Sequence, residues 1–170
     1  MNRTVLFIST ALLICSISST SAFSQSTTSN SPVETCILSD GEAAINVCTS
    51  LIESGNLSKT DLEVAFTRRG DVYTELGQCD LAVKDYDQAI KLEPIYKQLY
   101  YDRGLAYAVM HKYSLAIQDF NEAIKLSSNY AKAYYARGLT KRNMGDITGG
   151  DADIAKANKL DPDIEKDVDN

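Results

Sequence analysis

Three small sets of residues in this chain are of types that do chemistry: one histidine, four cysteines and a recurring arginine–aspartate pair. His111 stands alone of its type. A general base needs a partner and a pocket, whereas its register puts His111 in an exposed turn, a place where histidine accepts left-handed backbone better than most residues. Cys15, Cys36, Cys48 and Cys79 include no Cys-x-x-Cys pair, which argues against redox catalysis. The late acids Asp151, Asp153, Asp161, Asp163, Asp167 and Asp169 lack the spacing, central glycine and terminal glutamate of a calcium loop. They read as a solvated, self-repelling tail. With no nucleophile elbow, phosphate loop or zinc-ligand spacing in the sequence, the expectation is no catalytic residue, no metal, no cofactor and no enzyme.

The arginine–aspartate pairs carry more information. Arg69, Arg103 and Arg137 each precede an aspartate by sixteen residues, at Asp85, Asp119 and Asp153. Guanidinium is a planar fork that matches a carboxylate, so three repetitions predict structural ion pairs that meet across two helices. Such pairs orient helices more than they add net stability, because desolvation offsets the attraction.

The elements that must position these residues follow from a register. Gly70, Gly104 and Gly138 stand 34 residues apart, inside the related segments FTRRGDVY, YYDRGLAY and YYARGLTK. Each segment precedes an amphipathic stretch: LAVKDYDQAIKLEP, LAIQDFNEAIKLSS and GGDADIAKANKLDP. An aromatic, then glycine, tyrosine, alanine with an aromatic four on, and proline is the order of the tetratricopeptide repeat (TPR) pattern. The chain resembles that family over residues 63–164, as three units at 63–96, 97–130 and 131–164. The resemblance implies an all-α solenoid of helix-turn-helix units, preceded by an N-terminal helical piece at 36–62. Three departures stand out: arginine replaces the family's usual leucine before each glycine, Lys141 replaces the later tyrosine, and Ile154 replaces the second aromatic of the last unit.

Helix packing accounts for the pattern. The three glycines, facing Ala82, Ala116 and Gly150, let the helices of a unit approach closely, while Phe66, Tyr100 and Tyr134 with Tyr86 and Phe120 fill the space between units. Pro94 and Pro162 stop the second helices, and Ser128 in their register predicts a softer stop. Thr60 with Glu63 predicts a capping box. Gly77 and Gly145 predict left-handed ends of first helices, with His111 in the same place between them.

The first residues have the layout of a secretory signal: Arg3, the apolar run VLFISTALLIC, and small residues to Ser24, where cleavage is expected. The run is about half the roughly 20 residues of a bilayer span, and Ile14 before Cys15 argues against lipidation. No membrane insertion is expected once the signal is removed. Its removal moves the formal charge from −6 to −7. So acidic a chain has no basic patch for phosphates, which excludes nucleic acid as partner. Residues 25–35 are Ser/Thr/Asn-rich and read as a flexible lead-in, and 165–170 as an acidic tail. In an oxidising compartment Cys36 and Cys48 are expected to bridge and tie the incoming chain onto the helix GEAAINVCTSLIESG, the second helix of a repeat whose first is missing or very short. Cys79 reads as a small packing residue, although three cysteines allow three pairs. A cysteine-bearing N-terminal helix before RG-type units is similar to small exported bacterial TPR proteins, which implies a periplasmic or secreted location.

By the same resemblance, a groove on the first helices takes a protein or peptide partner. Its contact residues are Tyr101, Leu105, Val109, Tyr135 and Leu139, with Arg68, Lys132 and Arg142 for charge steering. Chaperone-binding members hold a terminal carboxylate at sites occupied here by Thr67, Asp71, Asp102, Lys132 and Ala136. Only the lysine conforms, so no dicarboxylate clamp is expected. The function implied is a non-catalytic interaction module of the cell envelope. The alternative is a self-associating envelope protein, a homodimer formed through the last helix with Ile154, Ala157 and Leu160.

Overall fold

A computed structural model describes residues 31–165. The expected signal with its cleavage point, Cys15 and residues 166–170 lie outside the described residues. Eight helices are described: α1 (Pro32–Leu38), α2 (Gly41–Ser54), α3 (Lys59–Glu75), α4 (Cys79–Leu92), α5 (Lys97–Val109), α6 (Tyr113–Leu126), α7 (Ala131–Asn143) and α8 (Ile147–Leu160). Each helix packs on its neighbours in sequence, and α3 also touches α5, as α5 touches α7. Contact confined to neighbouring units is what makes an array a solenoid. Among the described residues no helix is long and apolar enough to cross a membrane.

The 34-residue register sets the boundaries. Helices α4, α6 and α8 end at Leu92, Leu126 and Leu160. Ser128 does not soften the middle stop: Ser127 leaves the helix in an extended conformation, its N–H still donating to Ala123 O at 3.0 Å. Between the helices of each unit Gly77, His111 and Gly145 have φ of 72°, 58° and 97°. The following amides close each turn, from Gln78 to Tyr73 O, Lys112 to Tyr107 O and Asp146 to Lys141 O at 2.7–2.9 Å. His111 is exposed, with Nδ1 2.7 Å from Tyr113 Oη.

Two helix starts differ from expectation. Helix α3 begins at Lys59, capped by Ser58, whose Oγ accepts from the Asp61 N–H at 3.1 Å. Ser58 offers the same serine-to-acid spacing two residues before Thr60, so the helix starts half a turn earlier. Glu63 instead is buried and accepts from Thr67 Oγ1 at 2.9 Å. The lead-in also stops short of residue 35, because Ser31 and Glu34 form a reciprocal capping box and Pro32 opens α1. Of the two expected alternatives, a first helix missing or very short, α1 is the second: a helix of 7 residues ahead of α2.

Close approach is built into each unit. A Cβ on Gly70 would stand 2.9 Å from Tyr86 Cε1, and one on Gly104 2.7 Å from Phe120 Cε1. On Gly138 it would meet the backbone oxygen of Gly150 at 2.8 Å. Tyr86 and Phe120 are buried. Phe66, Tyr100 and Tyr134 are only half-buried and flank the arginines, their ring centroids 5.7, 5.8 and 5.3 Å from the guanidinium carbons of Arg69, Arg103 and Arg137.

At the N-terminal end Cys36 and Cys48 form a disulfide, with Cα atoms 5.1 Å apart. Both are fully buried against Ala65, with Val47, Leu51, Ile52 and Leu57 packed around them. Cys79 is a free thiol, buried among Ala82, Tyr86 and Ala106. At the other end Ala157 and Ile164 are fully buried, so the last helix is less bare than its own sequence suggests.

Candidate partner-binding groove

Each arginine of the repeat holds three helices together. Arg69 donates from Nε and Nη2 to Asp85 at 2.7 and 2.8 Å, Arg103 to Asp119 at 2.8 and 2.7 Å, and Arg137 to Asp153 at 2.8 and 2.6 Å. The remaining nitrogen, Nη1, reaches back to the preceding unit: to Thr49 Oγ1 at 2.8 Å, Asp87 Oδ1 at 2.5 Å and Asn121 Oδ1 at 2.6 Å. These three acceptors escaped the sequence reading, although Asp87 and Asn121 lie 34 residues apart. The forks fix how α3, α5 and α7 lie against the helices around them, and so fix the groove that those three line.

The groove is a row of three clefts that share residues. The first, of 330 Å³, has Ile37, Val64, Arg68, Asp71 and Tyr96 in its wall. The second, of 170 Å³, is formed by Asp71, Thr74, Tyr86, Asp102 and Leu105. The third, of 270 Å³, is apolar, with Tyr101, Leu105, Val109, Tyr135 and Leu139 in its wall. Asp71 belongs to the first two and Leu105 to the last two.

The sequence-expected contact residues therefore divide. Leu105, Val109, Tyr135 and Leu139 come together in the third cleft, and Val109 is 61% exposed. Tyr101 lines the same cleft but as its floor: it is only 8% exposed, with ring centroids 6.0 Å from Phe120 and 5.4 Å from Tyr130. Burial, with the charge of Asp102, pushes its hydroxyl up to about 12. Arg68 is not free for steering, because Nη2 donates to Ser39 O at 2.6 Å and to Asp40 Oδ1 at 3.2 Å. The N-terminal piece, brought across by α1 and α2, supplies both acceptors. Arg142 leans on Asp151 at 3.5 Å, and Lys132 is exposed.

The middle cleft holds two carboxylates. Asp71 accepts from Tyr86 Oη at 2.9 Å, and Asp102 accepts from Gln98 Nε2 at 2.8 Å while Gln98 Oε1 accepts from Tyr130 Oη at 2.5 Å. Burial pushes Asp71 up to about 6, against the pull of the Tyr86 bond and the Arg68 charge. Burial also pushes Asp102 up to about 7, with the charge of Asp71 adding to it and the Gln98 bond and Lys132 opposing. Tyr86 is raised by burial and then by Asp71.

Comparison with known proteins bears on this arrangement. Residues 70–110 match a TPR repeat model, and 98–130 and 131–164 each match a tetratricopeptide repeat model. No curated protein matches the sequence. Among solved structures, the crystal structure of MamA is similar at 22% identity, covering 74% of this chain and 71% of that one, with a TM-score of 0.64. The second TPR of Spaghetti (RPAP3), bound to the HSP90 peptide SRMEEVD, is 25% identical over 58% of this chain and 92% of that one, at 0.56. The Arabidopsis OM64 TPR domain is 25% identical over 62% and 87%, at 0.60.

Proposed function

Because the chain belongs to the tetratricopeptide repeat family, we propose that it is a non-catalytic interaction module of the cell envelope that seats a segment of a partner protein in the groove of α3, α5 and α7. The observation that carries this reading is the third cleft. Leu105, Val109 and Leu139 line an open apolar surface, beyond the buried residues of the adjoining core: Tyr101, Ala116, Phe120, Ala123, Ala133 and Ala136. A contiguous exposed apolar surface marks an interaction site. The Spaghetti TPRs, similar in fold at 25% and 26% identity, hold a peptide of HSP90. The buried disulfide and the signal-like first residues support an oxidising compartment, periplasmic or outside the cell.

The test uses a photo-crosslinker at Leu105 and the double variant Val109→Asp, Leu139→Asp. Both positions are exposed, so the variant should fold with an unchanged Tm and lose the heterologous crosslink of the parent. A retained crosslink refutes the groove. Crosslinks confined to a second copy would shift the reading to self-association.

A further inference from the structure

The middle cleft holds two carboxylates, Asp71 and Asp102, that form no ion pair among the described residues. Asp71 and Asp102 take their hydrogen bonds from neutral donors, the Tyr86 hydroxyl and the Gln98 amide. From its own helix Asp71 faces Arg68, Glu75 and Glu63, and from α4 it faces Tyr86. Asp102, on α5, faces Asp71 from α3 and Lys132 from α7, with Tyr130 beyond Gln98. The two cations in this set are committed elsewhere or distant: Arg68 donates to Ser39 and Asp40, and Lys132 acts on Asp102 by charge. Both carboxylates are half-buried, and a carboxylate drawn even partly out of water without a paired cation is held at a cost. Here burial and like charge raise both groups toward neutrality, so in the empty groove protons carry the compensation. The clefts on either side offer apolar wall: Ile37, Val64 and Tyr96 on one, Leu105, Val109 and Leu139 on the other.

Resting on the groove reading, we propose that the seated segment is cationic at its centre, a lysine or arginine side chain entering between Asp71 and Asp102 with apolar side chains in the clefts on either side. The charge is opposite to that of the acidic peptide held by the Spaghetti TPRs. A ligand cation supplies what protons supply in the empty groove, so binding releases protons and strengthens as pH rises through about 6 to 7. The sign for folding is the reverse. Both carboxyls are raised above the unfolded value near 3.8, so their contribution to stability is complete below that value and is lost as pH rises through about 6 and 7. Asparagine at either position cannot ionise. It should therefore raise Tm most at pH about 8, by less at pH about 5, and change it little at pH about 3.

The test uses synthetic decapeptides with a fixed central lysine and leucine or phenylalanine at randomised flanking positions, matched with central glutamine and glutamate sets. Binding to the purified protein is read by fluorescence polarisation at pH about 8 and about 5.5. Lysine peptides should bind about 10-fold tighter than glutamine ones at the higher pH, lose most of that advantage at the lower, and lose it altogether in Asp71→Asn and Asp102→Asn. Those variants should melt higher than the parent at pH about 8. Equal binding of glutamine or glutamate peptides overturns the proposal, as does a lysine preference that survives Asp102→Asn, or an Asp102→Asn variant that melts lower at pH about 8. If glutamine peptides bind equally and are lost with Val109→Asp, Leu139→Asp, the groove reading stands without its cation. If no peptide binds, the cationic segment is overturned, and the Leu105 crosslink decides separately whether the groove takes a partner.

Discussion

Arg103 touches three helices with one side chain, and its removal strands two acids at once. Asp119 is 5% exposed and would be left without its fork, while Asp87 would lose its bond across the unit boundary. Arg103→Leu should cost about 3 kcal/mol, the scale for breaking a buried pair. Adding Asp119→Leu should recover part of that loss, as read from urea midpoints; equal costs would show that Asp119 is not the stranded group. The pairs are not equivalent. Burial pushes Asp119 up despite its guanidinium, whereas at Asp153 the bonds from Arg137 and Lys141 outweigh burial and hold the carboxyl below its usual range. The sixteen-residue spacing made these partners legible in the sequence. The backward bonds to Asp87 and Asn121 were not legible, because no local pattern says which residue of the preceding unit an arginine will reach, and Thr49 breaks the register altogether.

Among the helices, closeness of approach differs from pair to pair. At Gly70 and Gly104 an added methyl meets a side-chain ring, whereas at Gly138 it meets backbone, the Gly150 carbonyl. Gly138→Ala should therefore destabilise by about 3 kcal/mol and Gly70→Ala by about 1 kcal/mol, measured as shifts in thermal unfolding. Equal effects would mean that α8 moves as easily as a ring. The helix pairs and their turns could be read from periodicity because packing positions must repeat in a stacked array. Groove positions need not repeat. Asp71 stands in the register of Leu105 and Leu139, and Asp102 in that of Arg68 and Ala136. The residues that break the period are the two carboxyls that hold their protons to higher pH than usual, and their meeting in one cleft needed the superposition of two helices. Tyr101 misled for a similar reason: Thr67 and Tyr135 share its register, but contact with Tyr130 and Phe120 draws it into the core.

In the molecule as a whole, the N-terminal piece acts on the groove through α1. The disulfide closes a separation of 12 residues, and bridges over loops of that size contribute about 3 kcal/mol. Reduction should loosen α1, remove Ser39 and Asp40 from Arg68, and lower Tm by several degrees; amide exchange of α1 and α2 should quicken while α5 to α8 keep their protection. An unchanged exchange pattern would show that packing alone holds the piece.

The backward reach of each arginine also gives the array a direction in time. Delivered from its first residue onward, the chain presents Thr49, Asp87 and Asn121 before Arg69, Arg103 and Arg137. Each guanidinium then waits only for an aspartate sixteen residues on. No unit depends on a distant later one to bury its charge, and such short-range closure favours rapid assembly. The chain can zip shut as it emerges, each finished pair of helices serving as the template on which the next arginine lands.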